Sequence, residues 1–201
     1  MIFFDPWVGS QYESGGIFGK KIMVLGESHY CGEDCADCGV GRGCESFTTK
    51  VMRDYLDQNN EREGWMSTFL KFERSLVNRW TSPEESVIIW NSVLFYNFLQ
   101  VAMHGPRRAG TPAQYQAAAA PFYEVLEKYE PDLIVVWGTR LWYNMPGEGW
   151  VDGEDFRVDG YPIKNGWYRL ANQKMVKVIC VYHPSTGYSW DYWHRAIMQK
   201  G

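Results

Sequence analysis

Four short apolar runs constrain this chain more than anything else in it. They are Ile22–Leu25, the segment SVIIWN at 86–91, LIVVWG at 133–138 and VKVICVY at 176–182. Each is too short for a buried helix, is bounded by polar or glycine residues, and suits a strand buried on both faces. Between them lie stretches with helical spacing. Phe47, Val51 and Tyr55 step by four over 45–56, and Phe69, Phe72, Leu76 and Trp80 step by three or four over 65–80. Thr81-Ser82-Pro83 breaks that pattern. Thr111-Pro112-Ala113-Gln114 carries an N-cap, a first-turn proline and a capping-box glutamine, so a helix runs from there to Tyr129, before Pro131. A last helix spans 189–198. Residues 1–20 read as an irregular aromatic and glycine-rich arm, 144–160 as loop, and 161–170 as an edge strand or hairpin.

Strands alternating with helices predict a three-layer α/β/α fold around a central, mostly parallel four-stranded sheet. With 201 residues, no internal repeat and no linker-like stretch, the chain reads as one domain spanning 1–201. No run reaches the ~18 apolar residues of a membrane span, and the N-terminus lacks the basic and apolar regions of a signal peptide. These features predict a cytoplasmic protein, a monomer without membrane contact. The net charge of −4 argues against broad electrostatic attraction to nucleic acid. Ten tryptophans in an aromatic content of 16% supply core and stacking surface alike.

In a parallel sheet the carboxyl ends of the strands share one edge, where open α/β sheets bind ligands. That edge would gather Gly26-Glu27-Ser28-His29-Tyr30, Asn91, Gly138-Thr139 and His183-Pro184-Ser185. In this order the four ends resemble the uracil-DNA glycosylase superfamily, over most of the chain from Lys21 to Met198. The Gly-led motif after the first strand, the Asn after the second, the Pro131-to-Gly138 strand and the His-Pro-Ser tripeptide after the fourth carry the resemblance. It implies hydrolysis of an N-glycosidic bond to uracil or a modified base in DNA. By it, His183 stabilises the departing base anion, Asn91 reads the base edge, Phe47 stacks under the base and Tyr30 blocks the pyrimidine 5-position. Ser28 stands where one branch places a water-orienting aspartate. Ser28 cannot act as a carboxylate base, so Glu27 is the substitute. Arg107, Arg108, Ser185, Thr186 and Tyr188 are candidate DNA contacts, with Arg42 and Arg140 as further rim arginines. The apolar wedge that follows His-Pro-Ser in the family is absent here: Thr186-Gly187 occupy its place.

Each residue also has a plainer reading. His183 would cap a strand end, Asn91 a helix, Phe47 would fill the core and Tyr30 would be a surface aromatic. Two other functions remain open: a binding module for free nucleobase or nucleotide that lacks catalysis, and a zinc-stabilised interaction domain.

Cys31, Cys35, Cys38 and Cys44 fall within fourteen residues. In a cytosolic protein such crowding predicts metal or redox chemistry, and four thiolates can enclose one zinc ion. The expected cofactor is a structural zinc or an iron–sulfur cluster, against free thiols. The Cys31-x3-Cys35-x2-Cys38 spacing matches radical-SAM ligands, but the chain is short for that barrel. Gly39 to Gly43 does not follow a strand directly, which argues against a dinucleotide fingerprint. Cys180 reads as a small buried apolar residue.

Overall fold

The structure, a computed structural model, describes residues 1–31, 45–105 and 107–199. Cys35, Cys38, Cys44, Arg42 and the Gly39–Gly43 stretch lie outside them.

In chain order the elements are β1 (Trp7–Val8), β2 (Ile22–Gly26), α1 (Phe47–Leu56), α2 (Met66–Val77), α3 (Pro83–Trp90), β3 (Val93–Asn97), α4 (Pro112–Tyr129), β4 (Leu133–Trp137), α5 (Thr139–Trp142), β5 (Trp150–Asp152), β6 (Arg157–Val158), β7 (Tyr161–Pro162), β8 (Asn165–Arg169), β9 (Met175–Val181) and α6 (Trp190–Met198). Two short 3-10 turns follow β1. The fold is α/β. Its sheet has seven strands in the order β1-β3-β2-β4-β9-β8-β5, not four. β3, β2, β4 and β9 run parallel. β1 is antiparallel to β3, β8 to β9 and β5 to β8. The N-terminal arm and the segment after α5 thus extend the parallel centre on both sides. β6 and β7 form a separate hairpin.

The second apolar run is not a strand. Residues 86–91 lie in and just past α3, because Ser82 accepts from the Glu85 amide, Glu85 returns a bond to the Ser82 amide and Pro83 occupies the first turn. That capping box nucleates a helix through Val87-Ile88-Ile89-Trp90 despite their β-branched character. The strand begins two residues beyond Asn91, and all five of its residues are buried. The other three runs form strands where expected. The capping box at Thr111 starts α4 as expected.

Alternation along the strands builds two apolar layers. Ile22, Val24, Phe95, Val135 and Val181 pack with side chains of α1, α2, α3 and α6. Met23, Leu25, Tyr96, Ile134 and Val178 pack with those of α4 and α5. A fully buried Leu, Ile or Val contributes about 1.5–3 kcal/mol, so the two layers fix the sheet and its carboxyl edge. Among the described residues no helix is long and apolar enough to cross a membrane.

Candidate functional site

The carboxyl ends of the parallel strands line an open cleft of about 1000 Å3. Backbone bonds keep the chain in register past the strand ends. Phe98 N–H donates to Gly26 O at 2.9 Å, Leu99 N–H to Glu27 O at 2.9 Å, and Met103 N–H to His29 O at 2.8 Å. The segments after β2 and β3 therefore enter the cleft side by side, and Asn97 stands opposite Gly26. Gly26 is required there, because a Cβ on it would sit 2.2 Å from Asn97 Oδ1.

Glu27 is the best-anchored group in the cleft. Arg140, on α5, donates Nε–H to Oε1 at 2.8 Å and to Oε2 at 2.9 Å, and Nη2–H to Oε2. Tyr115, on α4, donates its hydroxyl to Oε1. The same guanidinium reaches the carbonyls of Arg107 at 3.2 Å and Arg108 at 3.3 Å. One arginine thus ties the end of β2 to the loop carrying the two rim arginines. The hydrogen bonds to Glu27 raise the Arg140 pKa, and burial with the Glu27 bond pushes Tyr115 up to about 12.

His183 follows β9. Ser185 N–H donates to His183 Nδ1 at 3.2 Å, and Ser185 Oγ lies 2.8 Å from the same nitrogen. That ring nitrogen is therefore an acceptor, and the proton of the neutral ring sits on Nε2. Burial lowers the His183 pKa; the Arg140 charge adds to this and the Glu27 charge opposes it. The side chain is a neutral donor whose Nε2 has no hydrogen-bond partner among the described residues. Gly138, at φ 94°, turns the chain beside it, and a Cβ there would lie 3.4 Å from His183 Cβ.

His29 is buried behind Phe47. The two rings stack with centroids 4.5 Å apart and planes 9° off parallel, and Phe4 meets His29 edge-on at 5.0 Å. Gln100 Oε1 accepts from the Phe3 and Phe4 amides, which fixes the arm over this ring. Nε2 of His29 lies 2.8 Å from Thr48 Oγ1 and 3.0 Å from Asn97 Nδ2. Burial pushes the His29 pKa down to about 3, so this ring is neutral.

The structure gathers most of the residues singled out from the sequence. Glu27, Ser28 and Tyr30 line the cleft from the segment after β2, and Phe47 from the start of α1. Arg107 and Arg108 line it from the loop before α4, and His183, Ser185 and Thr186 from the end of β9. Two are elsewhere. Asn91 lies at the amino end of β3, the opposite edge of the sheet. Its Oδ1 accepts from Ser10 N–H and Oγ–H, and its Nδ2 donates to Val87 O. It caps α3 and tethers the arm, because the strand was displaced by a helix. Tyr188 bonds Ser75 Oγ at 2.9 Å and stacks on Trp193, which places it in the α2–α6 layer and not on the cleft. Cys31 ends the described stretch after β2, its N–H bonded to Met103 O. The other three cysteines are outside the described residues.

No family model and no curated protein matches the chain. The function must be read from the cleft itself. Asn97 and Trp137 line it and were not singled out; His29, expected at this edge beside Tyr30, had been given no role. Asn97 was legible: it ends the run Val93–Tyr96, once the Ser82 capping box assigns the preceding residues to a helix. The far wall is different in charge. It carries Asp54 and Glu63, with Lys50 paired to Asp54 at 2.7 Å.

Proposed function

We propose that this cleft hydrolyses the N-glycosidic bond of uracil or a modified base in DNA, as the resemblance to the uracil-DNA glycosylase superfamily implies. The observation that carries the reading is His183. A neutral imidazole with Nδ1 committed to the Ser185 amide and Nε2–H unpartnered suits donation to a carbonyl oxygen on which negative charge develops. Preorganised donors of this kind supply a large part of the rate in such reactions. Asn97 takes the base-reading role first expected of Asn91. Phe47, with one face already covered by His29, stacks the base on the other. Glu27 has both oxygens occupied by Arg140 and Tyr115. This favours balancing positive charge on the sugar over activating water. Arg107 and Arg108 meet the phosphates, with Ser185 and Thr186 beside them.

A second reading is a site that binds free nucleobase or nucleotide without cleaving it. The occupied Glu27 favours it, and so does Glu63 on the cleft lining, which a long polyanion crossing the whole cleft would meet; Asp54 there is paired with Lys50. For the cysteines we propose that Cys31, Cys35, Cys38 and Cys44 hold a structural zinc or an iron–sulfur cluster. Among the described residues no metal-binding group is complete. A zinc-stabilised interaction domain would use that loop alone.

The test is incubation of purified protein with uracil-containing single- and double-stranded oligonucleotides, followed by cleavage at abasic sites. Strand scission at uracil supports excision. Uracil binding without scission supports the binding module.

A further inference from the structure

The rim of the cleft at the end of β9 carries exposed aromatic rings. Tyr182, the first residue past β9, lines the cleft and is 56% exposed. Its ring leans on buried Trp193, with centroids 5.1 Å apart. Tyr143 directly follows α5 and is 71% exposed. It comes three residues after Arg140, so the turn that brings Arg140 to the cleft sets Tyr143 on the same side of α5. Lys164 joins the two tyrosines. Its carbonyl accepts from Cys180 N–H at 2.9 Å, two residues before Tyr182, and its Nζ stands 4.9 Å from the centre of the Tyr143 ring. Hydrogen bonding to Tyr143 raises the Lys164 pKa, and the Tyr182 hydroxyl adds to this. Among the described residues Lys164 makes no ion pair with a carboxylate. A single exposed tyrosine needs no explanation. Two, joined by an unneutralised lysine and continuous with the cleft, do.

We propose that Tyr182, Lys164 and Tyr143 form a shelf for the single-stranded DNA that flanks a nucleotide held in the cleft, with bases stacking on the two tyrosines and a phosphate meeting the lysine. The inference rests on the base-pocket reading of the cleft. Exposed aromatic rings interleaved with cations are what an unpaired strand uses, because every base has a face to stack and every link a negative charge. A duplex keeps its base faces inside its own stack and has none to offer the shelf. Thr186 and Gly187, beside Tyr182 on the same exit from β9, give no apolar side chain to wedge such a stack open. The strand that reaches this rim is therefore already open, and the tyrosines replace the stacking it lacks.

Tyr143→Ala and Lys164→Gln change exposed side chains outside the cleft lining, and matching unfolding midpoints show that both variants fold. The probes are labelled oligothymidine, followed by fluorescence anisotropy, and deoxyuridine monophosphate, followed by calorimetry. The wild type is expected to bind oligothymidine more tightly alone than paired with oligodeoxyadenosine. Tyr143→Ala is expected to bind the single strand about tenfold more weakly and the mononucleotide, which fills the cleft alone, as wild type does. Lys164→Gln is expected to reduce the slope of log affinity against log salt by about 0.7, the share of one phosphate on a single strand. Single-strand affinity unchanged in both variants, a preference for the duplex, or no binding of oligothymidine by the wild type would overturn the shelf. So would tighter binding of the matching oligoribonucleotide, which would assign the rim to RNA. Oligothymidine contains no uracil, so the outcome is separate from excision. Uracil release with tyrosine-independent strand binding would sink the shelf and keep the excision reading. Tyrosine-dependent strand binding without uracil release would keep the shelf and sink excision.

Discussion

Three side chains decide what the cleft can do. His183 offers a neutral donor, and the environment that lowers its pKa also sets its pH dependence. Protonation of Nδ1 breaks the bond from Ser185 N–H, so the competent form is the neutral ring. Excision should hold its rate down to the ordinary histidine pKa of about 6.5 and decline only at lower pH, through the depressed folded value. A rate profile that falls at pH 7 would contradict this. Asn97 is the second. Asn97→Asp replaces a donor with an acceptor and should weaken uracil binding by about tenfold or more. Asn91→Asp, on the far edge of the sheet, should leave binding unchanged. Titrating both variants checks the pair; equal losses would mean that Asn97 reads nothing. Glu27 is the third. Arg140 and Tyr115 occupy both of its oxygens, which leaves it poorly placed to activate water.

At the scale of elements, the cleft wall depends on a buried carboxylate that does not itself line the cleft. Glu73, on α2, is fully buried. It accepts from Tyr55 Oη on α1 at 2.8 Å, from Ser86 Oγ and Trp90 Nε1 on α3 at 2.7 and 2.9 Å, and from Thr81 Oγ1. One side chain thus locks the three helices whose packing carries Phe47 and Phe69 to the cleft. Glu73→Ala strands four donors and should destabilise the fold by about 3 kcal/mol or more, measured by urea unfolding; a loss under about 1 kcal/mol would show that the hub is dispensable. The same region shows where sequence reading stops. The runs at 22, 133 and 176 were legible because nothing before them offered a helix start. The run at 86 has the same apolar character, yet Ser82-Pro83-x-Glu85 closes a capping box that outweighs the strand preference of Val87, Ile88 and Ile89. Thr111-Pro112-x-Gln114 has the same grammar and was read as a helix. The misreading shifted the second strand end from Asn97 to Asn91. The place of Trp137 in the cleft and the stacking of His29 on Phe47 were hidden for another reason. Both come from burial against Phe4, Phe47 and Phe95, contacts between distant segments that spacing along the chain does not encode.

At the scale of the molecule, the sheet is a parallel centre widened by antiparallel strands, and of the strands only those of the centre end at the cleft. The cleft lining carries Arg107, Arg108 and the Arg140–Glu27 pair together with Glu63 and the Lys50–Asp54 pair. The cysteine-rich segment follows Tyr30 in the chain. If its four thiols close on one ion, protein purified without chelator should carry close to one equivalent of zinc, or the iron of one cluster, by elemental analysis; under about half an equivalent would count against it. The central claim concerns His183 alone. The most direct measurement is the single-turnover rate of uracil release from a single-stranded oligonucleotide by wild type and His183→Ala, with both shown to be folded by their unfolding midpoints. The account predicts measurable excision by the wild type and a loss of about 10²–10³ in the variant. Equal rates in the two proteins would contradict it.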